Sequence, residues 1–185
     1  MVFLKQLNLK TKEIILASLL VSLITVGAFI KMPIFGVPFT LQLFFVLLTA
    51  NILRPWPSFL TVSCYVLIGL IGVPVFSGGG GISYITYPTF GYVLGFLVSA
   101  PTVSYVSNKL NGTVKMNTLA NIIGLIPVYF FGVIYYVFIS NIYLDGAVEI
   151  KSILLFGFVI FLPLDIIYCF LSALISKRLK NIIKV

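Results

Sequence analysis

Asp165 is the residue whose chemistry most needs an explanation. It lies in the apolar stretch FLPLDIIYCF and is the only acidic residue inside an apolar run of the chain. A charge within a membrane costs at least about 2.5 kcal/mol, so it requires a partner or a function. The carboxylate either caps a helix start or accepts hydrogen bonds from a polar ligand. We favour the ligand, and Tyr168 is the nearest polar side chain by helical spacing.

A second polar group precedes another apolar run. Thr40 and Gln42 follow the turn-forming GVP and lead into LFFVLL. Gln42 carries both a hydrogen-bond donor and an acceptor, and lipid would leave both without a partner. It therefore contacts a ligand or joins two helices through hydrogen bonds, and both roles remain open. The same two roles are open for Asn121, in a later apolar run.

The segment PVFSGGGGISYITYPTFGY at 74–92 combines four consecutive glycines with three tyrosines. Glycines let the backbone approach a ligand closely, whereas tyrosines offer an apolar face and a hydroxyl. A slack linker is the alternative, but it would not need the aromatic residues. We predict a ligand-contacting loop, to which the following residues contribute: Gly79, Gly80, Tyr84, Tyr87 and Tyr92.

The sequence lacks the residues that several kinds of catalytic and metal-binding site require. The chain has no histidine, its two cysteines have no metal-site or disulfide spacing, and no phosphate-binding G-x-x-x-x-G-K-[ST] motif occurs. One intramembrane aspartate cannot form an acidic catalytic pair. We predict that the protein is not an enzyme and uses no cofactor or metal. A membrane enzyme and a purely structural subunit are the competing classes.

Composition indicates which elements position these residues. The chain is 61% hydrophobic and 9% charged, with mean hydropathy +1.19. Soluble domains average about 25% charged residues, so the surroundings must be mostly lipid. We predict one all-α membrane domain over 1–185, with six spans. They cover 14–30, 39–53, 59–73, 89–106, 118–140 and the region from Pro163 to about Lys177.

The last third allows two arrangements. One 25-residue span could be kinked at Pro163, or a short apolar segment at 152–161 could precede a helix that begins at Pro163. Proline is favoured in the first turn of a helix, as is an acidic residue. We prefer the second arrangement, which also moves Asp165 from the bilayer centre toward one face.

We attribute the net charge of +8 to the orientation of the protein in the membrane rather than to nucleic-acid binding. Ten of the twelve basic residues fall on one side of the predicted membrane, and Lys31 and Lys151 fall on the other. The positive-inside rule then places both termini in the cytoplasm. The glycine-rich loop at about 74–88 faces outward, together with Asp145 and Glu149.

Two pairs of small residues are spaced one helical turn apart. Ser18-x-x-x-Ser22 lies in the first span and Gly91-x-x-x-Gly95 in the fourth. Such spacing lets helices approach closely, inside the fold or against another protein. For Gly91 and Gly95 we expect internal packing.

Four segments together resemble a known family. They are GVPFTLQLFFVLL, LIGLIGVPVFSGGGG, YPTFGYVLGF and FLPLD, and the similarity extends from about Leu16 to Leu174. The chain resembles BioY-type substrate-binding (S) components of energy-coupling-factor vitamin transporters. The resemblance implies a six-helix protein of the bacterial cytoplasmic membrane that captures biotin outside. Uptake would need a transmembrane coupling protein and two ATPases, which supply the energy source that this sequence lacks.

The resemblance also implies roles for particular residues. Ser18 and Ser22 occupy the positions of an Ala-x-x-x-Ala motif that docks the coupling protein. Asp165 occupies the acidic position of a P-G-D-x-x-K motif at the ligand pocket. A carboxylate accepts hydrogen bonds, and the ureido ring of biotin offers two N–H donors.

The chain departs from the family pattern at several positions. Leu164 and Tyr168 replace the glycine and the lysine of P-G-D-x-x-K, and Tyr87 and Phe90 replace glycines of GPTGGY. No basic residue remains within a span to meet the carboxylate tail of biotin, and Lys31 and Lys151 are the basic candidates on the outer side. The alternative substrate is therefore another biotin-like or lipoate-like small carboxylate.

Overall fold

Helices account for most of the described chain. The computed structural model describes residues 10–34, 37–110, 112–143 and 150–183. Two strands form a hairpin, β1 (Lys31–Ile34) and β2 (Val37–Thr40). Within the described residues the helices are α1 (Thr11–Phe29), α2 (Gln42–Ile52), α3 (Pro55–Leu70), α4 (Phe90–Lys109), α5 (Val114–Tyr143), α6 (Ile150–Leu154) and α7 (Leu162–Ile183).

The helix lengths agree with a membrane protein. Four segments of the described chain are long and apolar enough to cross a bilayer: α1, α4, most of α5, and Gly157–Ile183, which includes α7. Helices α2 and α3 are apolar but shorter, with 11 and 16 residues. The predicted all-α membrane class is confirmed, and the six longer helices of the described chain, α1 to α5 and α7, correspond to the six predicted spans.

The hairpin corrects the predicted start of the second span. We predicted a helix from residue 39, but Phe39 and Thr40 belong to β2, and α2 begins only at Gln42. Strand pairing accounts for the difference, since Phe39 and Thr40 lie opposite Met32 and Lys31 in the antiparallel hairpin. The Leu41 N–H donates to the carbonyls of Gly27 (3.1 Å) and Ile30 (3.2 Å), which joins the start of α2 to the end of α1.

The glycine-rich loop is a defined turn rather than a slack linker. Gly79 and Gly81 have φ values of 122° and 99°, a region that favours glycine. A Cβ on Gly80 would lie 2.2 Å from the Val73 carbonyl oxygen, so only glycine fits there. The Phe76 and Gly79 backbones exchange hydrogen bonds of 2.9 and 3.1 Å, and a 3₁₀ helix follows at Ile82–Thr86.

Gly91 and Gly95 pack α4 against α5, as expected. A Cβ on Gly91 would lie 2.3 Å from the Tyr135 Cβ, and one on Gly95 would lie 2.6 Å from the Val128 Cα. These separations are too short for real Cβ contacts, so the two helices can be this close only with glycine at both positions.

The last third follows the second of the two predicted arrangements. The short helix α6 continues into a π-helical turn at Leu155–Val159, and α7 begins at Leu162, which places Pro163 in its first turn. Asp165 lies in the same first turn. The predicted outer position of Asp145 and Glu149 falls outside the described residues.

Asn121 joins three helices through a buried network. Its Oδ1 accepts a hydrogen bond from Asn51 Nδ2 on α2 at 2.7 Å. Its Nδ2 donates to the Cys169 carbonyl (2.8 Å) and to Ser172 Oγ (2.9 Å), both on α7. Both the oxygen and the nitrogen of the Asn121 amide are therefore hydrogen-bonded to other helices, which agrees with a packing role.

The Asn121 network generates a stability prediction. We expect Asn121→Ala to lower the free energy of unfolding by about 1–2 kcal/mol, because three interhelical hydrogen bonds disappear. Denaturation of the purified protein in detergent, followed by circular dichroism, measures this change. Asn141→Ala is the matched control, since Asn141 is exposed on the same helix. Equal effects of the two substitutions would contradict the packing role.

Candidate functional site

Two adjoining cavities lie beneath the hairpin and the glycine-rich loop. The inner cavity measures about 80 Å³ and the outer about 440 Å³. Four residues line both: Pro38, Ser77, Tyr84 and Thr89. Apolar and polar side chains from four helices, a strand and the loop line the inner cavity, whereas tyrosines and a lysine are among the residues that line the outer one. The shared lining makes the two cavities direct neighbours, with an aspartate at one and a lysine at the other.

A carboxylate lies at the wall of the inner cavity. Asp165 is 4% exposed, and the hydroxyl of Tyr129, on α5, donates to its Oδ2. The Tyr129 ring meets Phe158 edge-on, with ring centroids 4.6 Å apart, and this contact restricts its orientation. An aspartate side chain offers about four acceptor sites, so acceptor capacity remains for a donor in the cavity.

A chain of hydrogen bonds orients the side-chain amide of Gln42, which lines the same cavity. Thr40 Oγ1 donates to Gln42 Oε1 at 3.0 Å, and Gln42 Nε2 donates to the Tyr65 hydroxyl. That hydroxyl donates in turn to the Val75 carbonyl at 3.0 Å. These bonds connect the end of β2 to α3 and to the loop, and they specify which way the amide points.

Tyr84 of the loop belongs to the wall that the cavities share. Tyr84 stacks on Phe76 with centroids 4.5 Å apart and on Tyr87 at 5.1 Å. Its hydroxyl lies 3.1 Å from Ser77 Oγ. On α4, the Tyr92 hydroxyl donates to the Gly157 carbonyl at 2.8 Å and connects the inner cavity to the π-helical turn.

A cation lies at the outer cavity. Lys31, the first residue of β1, lines this cavity, and its Nζ donates to the Ser77 carbonyl at 2.6 Å. The sequence suggested Lys31 and Lys151 as basic candidates. The structure brings Lys31 to the lining, whereas Lys151 is exposed on α6 and lines neither cavity.

Six of the predicted ligand residues line the cavities. Thr40, Gln42, Tyr84, Tyr92 and Asp165 line the inner cavity, and Tyr84 and Tyr87 line the outer one. The structure does not bring Gly79, Gly80, Asn121 or Tyr168 to either lining. The glycines shape the turn, and Asn121 belongs to the interhelical network.

Tyr168 points away from the cavities into an aromatic cluster. Its ring stacks on Phe39 with centroids 5.3 Å apart and meets Phe44 edge-on at 6.0 Å. Phe39 lines the inner cavity, so Tyr168 supports a lining residue from behind. Helical spacing placed Tyr168 near Asp165, but the rotation of α7 turns its ring toward β2.

Several lining residues were not predicted from the sequence, and Tyr129 is the most important of them. It lies 36 positions from Asp165 in an apolar run, IPVYFF, and no spacing rule connects the two. Ser77 and Thr89 were also missed, although both belong to the predicted loop region. An unpaired intramembrane carboxylate was the available signal, since it requires a donor from another helix.

The proposed docking residues lie away from the cavities. Ser18 and Ser22 are exposed on α1 among apolar side chains that are also exposed, such as Ile15 and Leu19. Their hydroxyls donate to the carbonyls of Ile14 (2.9 Å) and Ser18 (3.1 Å). Both serine hydroxyls are thus hydrogen-bonded within the helix. The two exposed positions carry small, uncharged side chains.

Comparisons with known proteins agree on one family. Residues 4–185 match the model of the BioY family. The probable biotin transporter BioY of Lysinibacillus sphaericus is 37% identical over 175 residues, which cover 94% of this chain and 89% of the relative. The biotin transporter BioY of Thermotoga maritima is 36% identical over 172 residues, which cover 92% and 97%.

A solved structure shares the fold. It is the S-component for biotin from an ECF-type ABC transporter, with a TM-score of 0.82 and 25% identity over 94% of this chain and 95% of the other. The family match covers nearly the whole sequence, and the helix arrangement agrees with this relative. The chain belongs to the BioY family.

Proposed function

We propose that this protein is a membrane-embedded S component that binds biotin for uptake by an energy-coupling-factor transporter. One observation supports it most directly, namely the Asp165 carboxylate held by Tyr129 at the wall of the inner cavity. The ureido ring of biotin carries two N–H donors, and a carboxylate is an acceptor matched to them. The BioY relatives are described as biotin transporters, which agrees with this chemistry.

The dimensions of the cavities suggest how the ligand is divided between them. Ligand sites usually measure about 300–1,000 Å³, so the inner cavity of about 80 Å³ holds only the head group. Phe39, Phe96 and Phe161 supply apolar walls for the sulfur-containing ring. The acidic tail then extends into the outer cavity, whose volume of about 440 Å³ lies within the usual range. No cofactor takes part in this scheme.

The arrangement of charges supports an outward-facing site. The cavities lie under the hairpin that follows the end of α1, whereas Arg54 contacts Glu13 near the start of α1 at 2.7 Å. Arg54 belongs to the ten basic residues of the predicted cytoplasmic side, so the cavities lie toward the opposite face. In this proposal the protein resides in the bacterial cytoplasmic membrane, with both termini inside.

Transport requires partners in this proposal. The exposed small residues of α1 dock a transmembrane coupling protein, and two ATPases drive reorientation and release. A surface with small side chains lets a partner helix approach closely. The solved relative is the S-component of an ECF-type ABC transporter, and this proposal extends the same association to the present chain.

A second candidate ligand is another biotin-like or lipoate-like small carboxylate. The observation that favours it is Tyr87, which lines the outer cavity where the family pattern has a glycine. The added ring narrows the space for the tail. Binding measurements with both acids on the same protein decide between them.

The first prediction of the proposed function concerns Asp165. We expect Asp165→Asn to weaken biotin binding by roughly tenfold, because hydrogen bonds to charged groups contribute about 1 kcal/mol more than neutral ones. Isothermal titration calorimetry on the purified protein measures the dissociation constant. Ser172→Ala is the control, since Ser172 is buried on the same helix and lines neither cavity. Unchanged biotin affinity in Asp165→Asn would refute the assigned role.

The second prediction concerns α1. A Ser18→Trp, Ser22→Trp double variant is expected to abolish biotin uptake by cells that contain the coupling module, because bulky rings prevent close helix contact. Purified protein should retain its biotin affinity. The Ser18→Ala, Ser22→Ala variant keeps both positions small and should transport normally. Loss of binding in the tryptophan variant would instead indicate that this face packs within the protein.

A further inference from the structure

We infer that the Lys31 ammonium recognises the carboxylate of the ligand's tail, and so supplies from the hairpin the cation that α7 lacks. The inference rests on the proposed function, because it concerns the second end of the same ligand. It assigns selectivity for a free acid over its uncharged derivatives to a single residue outside the helices.

The strand register places Lys31 on the ligand side of the hairpin. Lys31 lies directly opposite Thr40 in the antiparallel pair, and opposed residues present their side chains on the same face. Thr40 lines the inner cavity and Lys31 the outer one. Pro38, two residues before Thr40, lies on the same face and lines both. One face of the hairpin therefore extends from the head-group region to the tail region.

The ammonium retains donors for a ligand. It has three N–H groups, and one donates to the Ser77 carbonyl at 2.6 Å. Ser77 belongs to the wall that both cavities share, so this bond holds Nζ at the cavity. Two N–H groups remain, enough for a carboxylate that enters the outer cavity.

The charge of Lys31 has no carboxylate partner in the part of the chain that the structure describes. The acidic residues described there are Glu13 and Asp165. Glu13 forms a bidentate salt bridge with Arg54, with N–O distances of 2.7 and 2.8 Å. Asp165 lies at the inner cavity with Tyr129. A lysine beside a cavity, with no carboxylate partner among the described residues, is a site for an anion, because an ammonium and a carboxylate form charge-assisted hydrogen bonds.

A competing role for Lys31 is mechanical. Its bond to Ser77 could serve only to fasten the hairpin to the loop. Fastening would influence every ligand equally, since it acts on the shape of the site. Charge recognition would influence acids and leave uncharged analogues unaffected. The two roles therefore differ in a measurable way.

The experiment compares biotin with its primary amide, which keeps the ureido head and loses the negative charge. Calorimetry on purified protein gives both dissociation constants for the wild type and for Lys31→Met, Lys31→Arg and Lys151→Met. We expect Lys31→Met to weaken biotin binding by roughly tenfold to a hundredfold and to leave amide binding unchanged. Lys31→Arg should keep the preference for the acid, and Lys151→Met, at an exposed lysine outside the lining, should behave as wild type.

The outcomes separate this inference from the proposed function. If Lys31→Met loses affinity equally for biotin and its amide, or loses affinity for neither, charge recognition by Lys31 is overturned. Biotin binding by the wild type would still support the proposed function. A wild-type protein that binds neither compound would overturn the proposed function itself. Higher salt should reduce the wild-type preference for the acid, because the outer cavity is partly open to water.

Discussion

The hydrogen bond between Tyr129 and Asp165 is the interaction on which the site depends. A carboxylate that is 4% exposed in an apolar bundle requires donors, and Tyr129 on α5 provides one. The bond needs Asp165 in the first turn of α7, at the depth of the inner cavity. The break before Leu162 provides that position, and it also places Pro163 in the first turn of α7, where proline is favoured.

A second constraint governs the segments that cover the site. Irregular backbone at membrane depth is tolerated only where protein satisfies its polar groups or where it lines a cavity. The Leu41 N–H bonds to the end of α1, and the Phe76 and Gly79 backbones bond to each other. The Tyr92 hydroxyl similarly satisfies the Gly157 carbonyl in the π-helical turn. The hairpin and the loop are thus built from internally satisfied turns, which leaves side chains free to face a ligand.

The arrangement separates three tasks in space. Acceptors and amide groups lie in the inner cavity, a cation lies at the outer one, and the small exposed face of α1 lies elsewhere. A ligand with donors at one end and a negative charge at the other matches the first two. If α1 docks a partner as proposed, its separation from the cavities lets binding and association be altered independently.

The sequence by itself indicated six helices and favoured a helix start near Pro163 with Asp165 in its first turn, because apolar run length and proline geometry act locally. It also identified six of the residues that line the cavities, since a polar side chain in an apolar run demands a role. Only the tertiary structure decided that Tyr129 meets Asp165, that Lys31 opposes Thr40, and that Tyr168 and Asn121 turn away. These outcomes depend on helix rotation, depth and strand register, which arise from packing between segments far apart in the chain.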